Sequence, residues 1–362
     1  MRKLNSLKSI LTLTIIGFSF HSFAQGDVSA LIKSGPADAA KLANAYLNPF
    51  FKGLGFGMNS GWYNSAKAKN LGKFDIRIQG TAAFVPESDQ TFNFNALGLS
   101  NKTRLRNPNS TLSPTAFGAN SPGPEVVLYD NNNQEVSSFN LPDGSGIKFV
   151  PSPQIQVTVG LIKNTDVSLR YSPKLELGGF GSLQVIGFGI KHEITELLLP
   201  GKTEKVIPVD IAVAFGYNQT TYDYKVALAD QVNDDPSRRN TDLNQRIEGK
   251  FSGYTFDAII SKKLLFFTPF LSVGYNTAKT ELGLLGQYIV KTAAPTLANP
   301  LPNSPDKFTT FTDPVKFDQK DISGIRSSVG FSLHLAIFRL YGAYSIGEYS
   351  AFTGGIGIGI GK

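Results

Sequence analysis

From Lys73 to the C-terminal Lys362, segment after segment places a large apolar residue at every second position, with Gly, Ser, Thr, Gln or a lone charge between. In VDIAVAFGY, Val209, Ile211, Val213, Phe215 and Tyr217 share one face, and Asp210, Ala212, Ala214 and Gly216 share the other. QIQVTVGL, TDVSLRY, SGYTFDAII, FLSVGYN, SVGFSLHLA and FTGGIGIGIGK repeat the design. A period of two belongs to β-strands. Many strands of roughly nine to twelve residues, separated by polar loops, make the pattern of a barrel that is apolar toward lipid and small or polar toward its lumen. The predicted fold class is all-β: a transmembrane antiparallel β-barrel with a short N-terminal helical segment at or in the barrel.

Ten strands are read, at 73–86, 151–162, 166–175, 181–192, 207–226, 248–261, 265–280, 325–336, 339–347 and 351–361. The number rises to twelve or fourteen if EVVLYDNNNQEVSSF and LGLLGQYIV carry further hairpins. Lys163-Asn164-Thr165, Lys262-Lys263 and Ile337-Phe338 read as tight turns, whereas 87–150, 227–247 and 281–324 are long and polar. Bacterial barrels put short turns in the periplasm and long loops outside the cell. That assignment predicts both termini in the periplasm. The segment 193–206 breaks the rule, as a longish periplasmic connection.

Ahead of the barrel the period changes. Ala39, Leu42, Ala43, Tyr46 and Leu47 recur at helical spacing, with Pro36 in the first turn, Asp38 near the positive end, and Asn48-Pro49 as the expected stop. Residues 25–72 are thus read as a helical plug in the lumen or a cap on the periplasmic mouth, and 73–362 as the barrel. The glycine-spaced GLGFGMNSGWYN that follows lets the chain approach the barrel wall closely. Residues 1–24 have the form of a signal peptide. Arg2, Lys3 and Lys8 precede the apolar ILTLTIIGFSF, and Ser22-Phe23-Ala24 stands before Gln25. No run reaches the ~18 apolar residues of a helical membrane span. The localisation expected is the cell outer membrane.

Composition removes several function classes. Without the three leader cations the net charge of +7 becomes +4, too mild to argue for nucleic acid as a partner. There is no Cys, hence no lipoprotein anchor, disulfide scaffold or thiol chemistry. The 36 Gly suit close packing in a curved sheet, and the 27 Phe and 13 Tyr suit a lipid face bounded by aromatic girdles.

Alternation turns eight titratable groups inward: Asp75, Arg77, Asp166, Arg170, Asp210, Asp257, His334 and Arg339. All lie near the periplasmic ends of their strands and are expected to form one layer. The near balance of sign favours a network of ion pairs closing the lower lumen over a selectivity ring, which carries one dominant sign. Ser332 and His334 share this face at the spacing some outer-membrane lipid hydrolases use for a nucleophile and its base, but the sequence certifies no third group to orient the pair, and the expectation is that the protein is not an enzyme, with a lipid hydrolase as the alternative. His192 reads as an interfacial residue at a strand end. Two mature-chain His and no Cys predict no metal site, and no cofactor is expected. The GxGxG string at 355–361 precedes no helix, so it reads as alternating wall residues and not a phosphate loop. The charges at Asp234, Asp235, Arg238, Arg239 and Asp242 lack the spacing of a Ca²⁺ loop.

AKLANAYLNPFFKGLGFGMNSGWYN resembles the N-terminal region of the long-chain fatty-acid outer-membrane transporter family, in which an Asn-Pro follows a small helical plug; here Asn48 and Pro49 carry the match. Over most of its length the chain looks more like a family of uncharacterised outer-membrane proteins of Bacteroidetes. The signal ending FAQ, the GWYN after the helix and FVPESDQTF at 84–92 carry that resemblance. It implies localisation and no activity. Two functions are therefore expected. One is a channel or transporter for small or hydrophobic molecules. The other is a non-conducting structural or surface-interaction barrel acting through its extracellular loops. The partners expected are outer-membrane lipid and, for the first function, a small hydrophobic ligand; protein partners stay open.

Overall fold

The computed structural model of the chain describes residues 35–130, 132–176, 181–198, 209–225, 243–291 and 308–360. The leader, most of the 227–247 loop with its five charges, and Lys362 lie outside these residues.

Ten strands close one barrel: β1 (Phe74–Phe84), β2 (Phe149–Gly160), β3 (Thr165–Glu176), β4 (Ser182–Glu193), β5 (Asp210–Lys225), β6 (Arg246–Ser261), β7 (Phe267–Leu285), β8 (Val315–Leu335), β9 (Phe338–Ile346) and β10 (Ser350–Ile360). Each strand pairs antiparallel with the next, and β10 closes on β1 from Phe74↔Ile360 to Phe84↔Ser350. This is the ten-strand reading. The two suspected hairpins exist, but as Glu125–Tyr129 with Glu135–Asn140 and as Gln287–Lys291 with Phe308–Thr312, each in a small sheet outside the barrel.

Side chains alternate as the period requires. In β1, Ile76 and Ile78 are exposed while Asp75, Arg77, Gln79 and Thr81 are buried. In β10, Ile356, Ile358 and Ile360 face out, and Gly355, Gly357 and Gly359 stand opposite Gln79, Arg77 and Asp75. Small residues there leave room for long polar ones. A Cβ on Gly359 would collide with the Arg339 guanidinium. At one end the connections are tight. Lys163 and Asn164, at φ 55° and 54°, make the hairpin turn between β2 and β3.

The other end is built up. Strands β7 and β8 run for 19 and 21 residues, where a bilayer needs about ten. Residues 281–285 and 315–324, expected in a loop, are strand. Lys279, Glu281, Lys316, Asp318 and Lys320 make this stretch read as polar loop, because they interrupt the apolar alternation.

The helix also differs from expectation. α1 spans Pro36–Asn59 and passes through Pro49, which was expected to stop it. It descends inside the barrel, with its N-terminal half against the loop face. Leu42 packs with Phe94, Val126, Leu128 and Leu141 of the 85–148 loop, and Ala39 with Leu284, Tyr288 and Val315. Phe51 and Phe56 are fully buried between opposite walls. Residues 60–73 continue down to the turn face, where Gly72 N donates to Gly160 O at 3.0 Å. The turn face therefore holds the end of β10 but not the start of the helix. The two ends of the barrel itself, Phe74 and Ile360, pair with each other on the turn face, as an even strand number requires, whereas α1 begins at the loop face because the segment ahead of β1 crosses the lumen.

Candidate functional site

The site is the lumen and the chain that fills it. Three glycines let α1 enter. Added Cβ atoms would strike Val150 from Gly53, Ala278 from Gly55 and Ser152 from Gly57, so the helix touches both sides of the wall at backbone distance. At the top, the buried Asp38 carboxylate accepts from Ser100 N at 3.0 Å and Thr103 Oγ1 at 2.7 Å, which fixes the positive end of the helix to the loop. Lys52 bridges Asp89 at 3.1 Å and Glu348 at 3.5 Å, and Tyr349 Oη donates to Asp89 at 2.8 Å. Below it Phe50, Phe51, Phe251 and Phe317 pack ring on ring.

The lower end is polar. The last four carbonyls of a helix have no partner within it. Here each finds one: Phe56 O accepts from Ser60 Oγ at 2.8 Å, Gly57 O from Gln154 Nε2 at 2.9 Å, Met58 O from Asn218 Nδ2 at 2.9 Å and from Arg170, and Asn59 O from Arg326 Nη1 at 2.7 Å. Arg170 also donates to Ser60 O at 2.9 Å and lies 3.7 Å over the Trp62 ring. Arg77 donates to Gly61 O at 2.9 Å and to Trp62 O. Three guanidiniums from β1, β3 and β8 thus collar five successive carbonyls, at the negative end of the helix dipole. Forks of planar donors suit this task; a lysine would serve one carbonyl at a time.

The eight predicted inward charges separate into kinds. Asp75 pairs with Arg339 at 3.3 Å and accepts from Tyr341 Oη, and Asp257 pairs with Arg326 at 3.1 Å. Asp166 pairs with Lys191 at 3.0 Å and accepts from Lys69 N at 2.8 Å. Asp210 meets Lys67 at 3.3 Å. Arg77 and Arg170 bind plug carbonyls in place of wall carboxylates, so the layer is shared between the wall and the plug. His334 is half-buried; its Nε2 is 3.3 Å from Ser332 Oγ, and among the described contacts no carboxylate orients it. His192 bonds Thr165 Oγ1 at 3.0 Å beside the β2–β3 turn. Asn48 and Pro49 lie at the middle of α1, away from the collar.

Arg326, Lys191 and Glu193 had not been singled out. Parity alone could have found them: Arg326 is in step with Ser328, Ser332 and His334, and Lys191 and Glu193 with Gly187 and Gly189. Gln79, Gln154, Gln156 and Asn218 are also buried around the plug. They read as uncharged lumen residues, with no pattern to mark them. Beside Trp62, Asp257 and Arg326 a cavity of about 20 Å³ is left, room for about one or two water molecules.

The fold and site define a closed ten-stranded antiparallel barrel whose lumen is filled by its own N-terminal helix. The sequence profile of the family of unknown function DUF6588 matches residues 1–360, and the chain belongs to that family. No curated protein matches it. Among solved structures it is similar to Ail, the attachment invasion locus protein of Yersinia pestis, at 8% identity over 80% of this chain and 98% of that one, with a TM-score of 0.26. It is also similar to the translocator domain of the autotransporter NalP from Neisseria meningitidis, at 10% identity over 80% and 88%, TM-score 0.28. The outer-membrane protease OmpT of Escherichia coli aligns at 9% identity over 80% and 97%, TM-score 0.32.

Proposed function

We propose that this protein is an outer-membrane barrel held shut at rest by α1, with the loop face as its working surface. One observation carries the reading: a belt of exposed Ile, Leu, Val, Phe and Tyr encircles a wall whose lumen is packed with the chain's own helix. Soluble monomers rarely expose apolar patches beyond a few hundred Å², and a closed barrel satisfies every wall hydrogen bond without water. Lipid is the partner such a belt fits. The signal-like leader agrees with export.

Transport is the second reading, favoured by the polar lower lumen. Gln79, Gln154, Gln156, Asn218, Ser168 and Thr158 would solvate a water-filled path once α1 withdrew. The hydrophobic ligand suggested by sequence resemblance is less well served, because apolar lumen residues are taken up by Phe51 and Phe56 of the plug.

The protein should fractionate with the outer membrane, resist alkaline extraction and migrate faster in gels before boiling. Recovery as a soluble periplasmic monomer would sink the proposal.

A further inference from the structure

Between the upper half of α1 and the 85–148 loop lies a pocket of about 360 Å³ that opens on the loop face. Small-molecule sites span roughly 300–1,000 Å³. Its floor is the Asn48-Pro49 stretch of the helix.

The helix side of the pocket has acceptors without donors. Asn44 Oδ1 is buried and has no hydrogen-bond partner. Pro49 has no N–H to give the carbonyl four residues earlier, so the Ala45 carbonyl loses its helical donor where Ala45 lines the pocket. Asn48 beside them makes no hydrogen bond to the described residues. A buried acceptor left unpaired is costly, and Asn44, Ala45 and Asn48 all line this one pocket. The opposite side supplies Thr91 and Asn93, with Phe92 as an apolar plate.

Charge narrows the ligand. No Lys, Arg or His lines the pocket, which argues against an anion. Its one carboxylate, Asp89, is already held by Lys52 and Tyr349, which argues against a cation. What fits is neutral, rich in hydroxyl donors, and has an apolar face to lay on Phe92.

We propose that this pocket binds a mono- or disaccharide arriving from the loop face. The inference deepens the loop-face reading and rests on it only for the side of approach; binding to purified protein tests the pocket by itself, and labelled sugar on intact cells tests the side.

The experiment is a glycan array of mono- to tetrasaccharides probed with the full-length protein folded in detergent, followed by titration of the best glycan against wild type, Asn44→Leu and Asn48→Leu. Both variants keep the barrel wall intact, which unboiled gel mobility verifies. The result expected is saturable binding to a small glycan, weakened at least tenfold in both variants. No binding to any glycan, binding unchanged by both substitutions, or displacement of the bound glycan by oleate would overturn the proposal. Binding in detergent without labelling of intact cells would leave the pocket standing and contradict the loop-face assignment.

Discussion

Arg170 shows most clearly how single residues hold the lumen. Buried and stacked on Trp62, it donates to Met58 O, Ser60 O and Gln156 Oε1. Each buried group that loses its donor costs about 1–3 kcal/mol. Arg170→Ala should therefore lower stability by about 3 kcal/mol or more, and Arg170→Lys should recover only part, since one ammonium cannot span two carbonyls and an amide. Denaturant unfolding of the three proteins in detergent checks this; equal stability of Arg170→Lys and wild type would contradict the bridging role. Lys69, on the segment below the collar, gives a pH signature. Burial pushes its amine down to about 8 from the ordinary 10.5. The unfolded chain then binds more protons between about pH 8 and 10.5, so the Lys69 contribution makes stability rise with pH across that window. The stability of wild type relative to Lys69→Met should accordingly increase from pH 8 to 10.5. A flat difference would contradict burial of that amine. Parity made Arg170 legible as inward, but its partners were not legible: they are main-chain carbonyls, which no residue pattern advertises.

At the scale of elements, strands and helix were legible to different degrees. Ten strands followed from the period of two, since lipid and lumen impose opposite demands on successive side chains. The upper reaches of β7 and β8 did not follow, because Lys279, Glu281 and Lys320 interrupt the apolar pattern there. The helix was foreshortened for a related reason. Pro49 and Gly53, Gly55 and Gly57 are poor helix formers, yet packing of Phe51, Leu54 and Phe56 in the lumen overrides propensity, and the glycines are what allow the fit. Gly55→Leu should consequently unseat α1, because its side chain would occupy the space of Ala278. The unfolding midpoint should fall while the unboiled gel shift persists. A variant as stable as wild type would mean that the helix is not gripped by the wall. On the wall itself, Arg at Val213 should cost ~2–4 kcal/mol if it lies near the bilayer midplane, and Arg at the inward Ala212 should act through crowding against the Trp62 cluster.

For the whole molecule, two devices converge on closure. Asp38 and the Lys52 cluster tie the top of α1 to the loops, and the arginine collar ties its bottom to the wall. Ten strands leave a lumen wide enough for one glycine-faced helix and little else, consistent with a diameter that grows with strand number. Paired charges inside such a space are tolerated, and removal of one partner leaves an isolated charge. The direct test is planar-bilayer conductance of the wild type beside a variant lacking residues 36–72, the helix and the lumen segment below it. A silent wild type and a conducting deletion variant are expected, because the deletion removes the plug and leaves the polar wall. Steady conductance by the wild type would contradict the closed barrel.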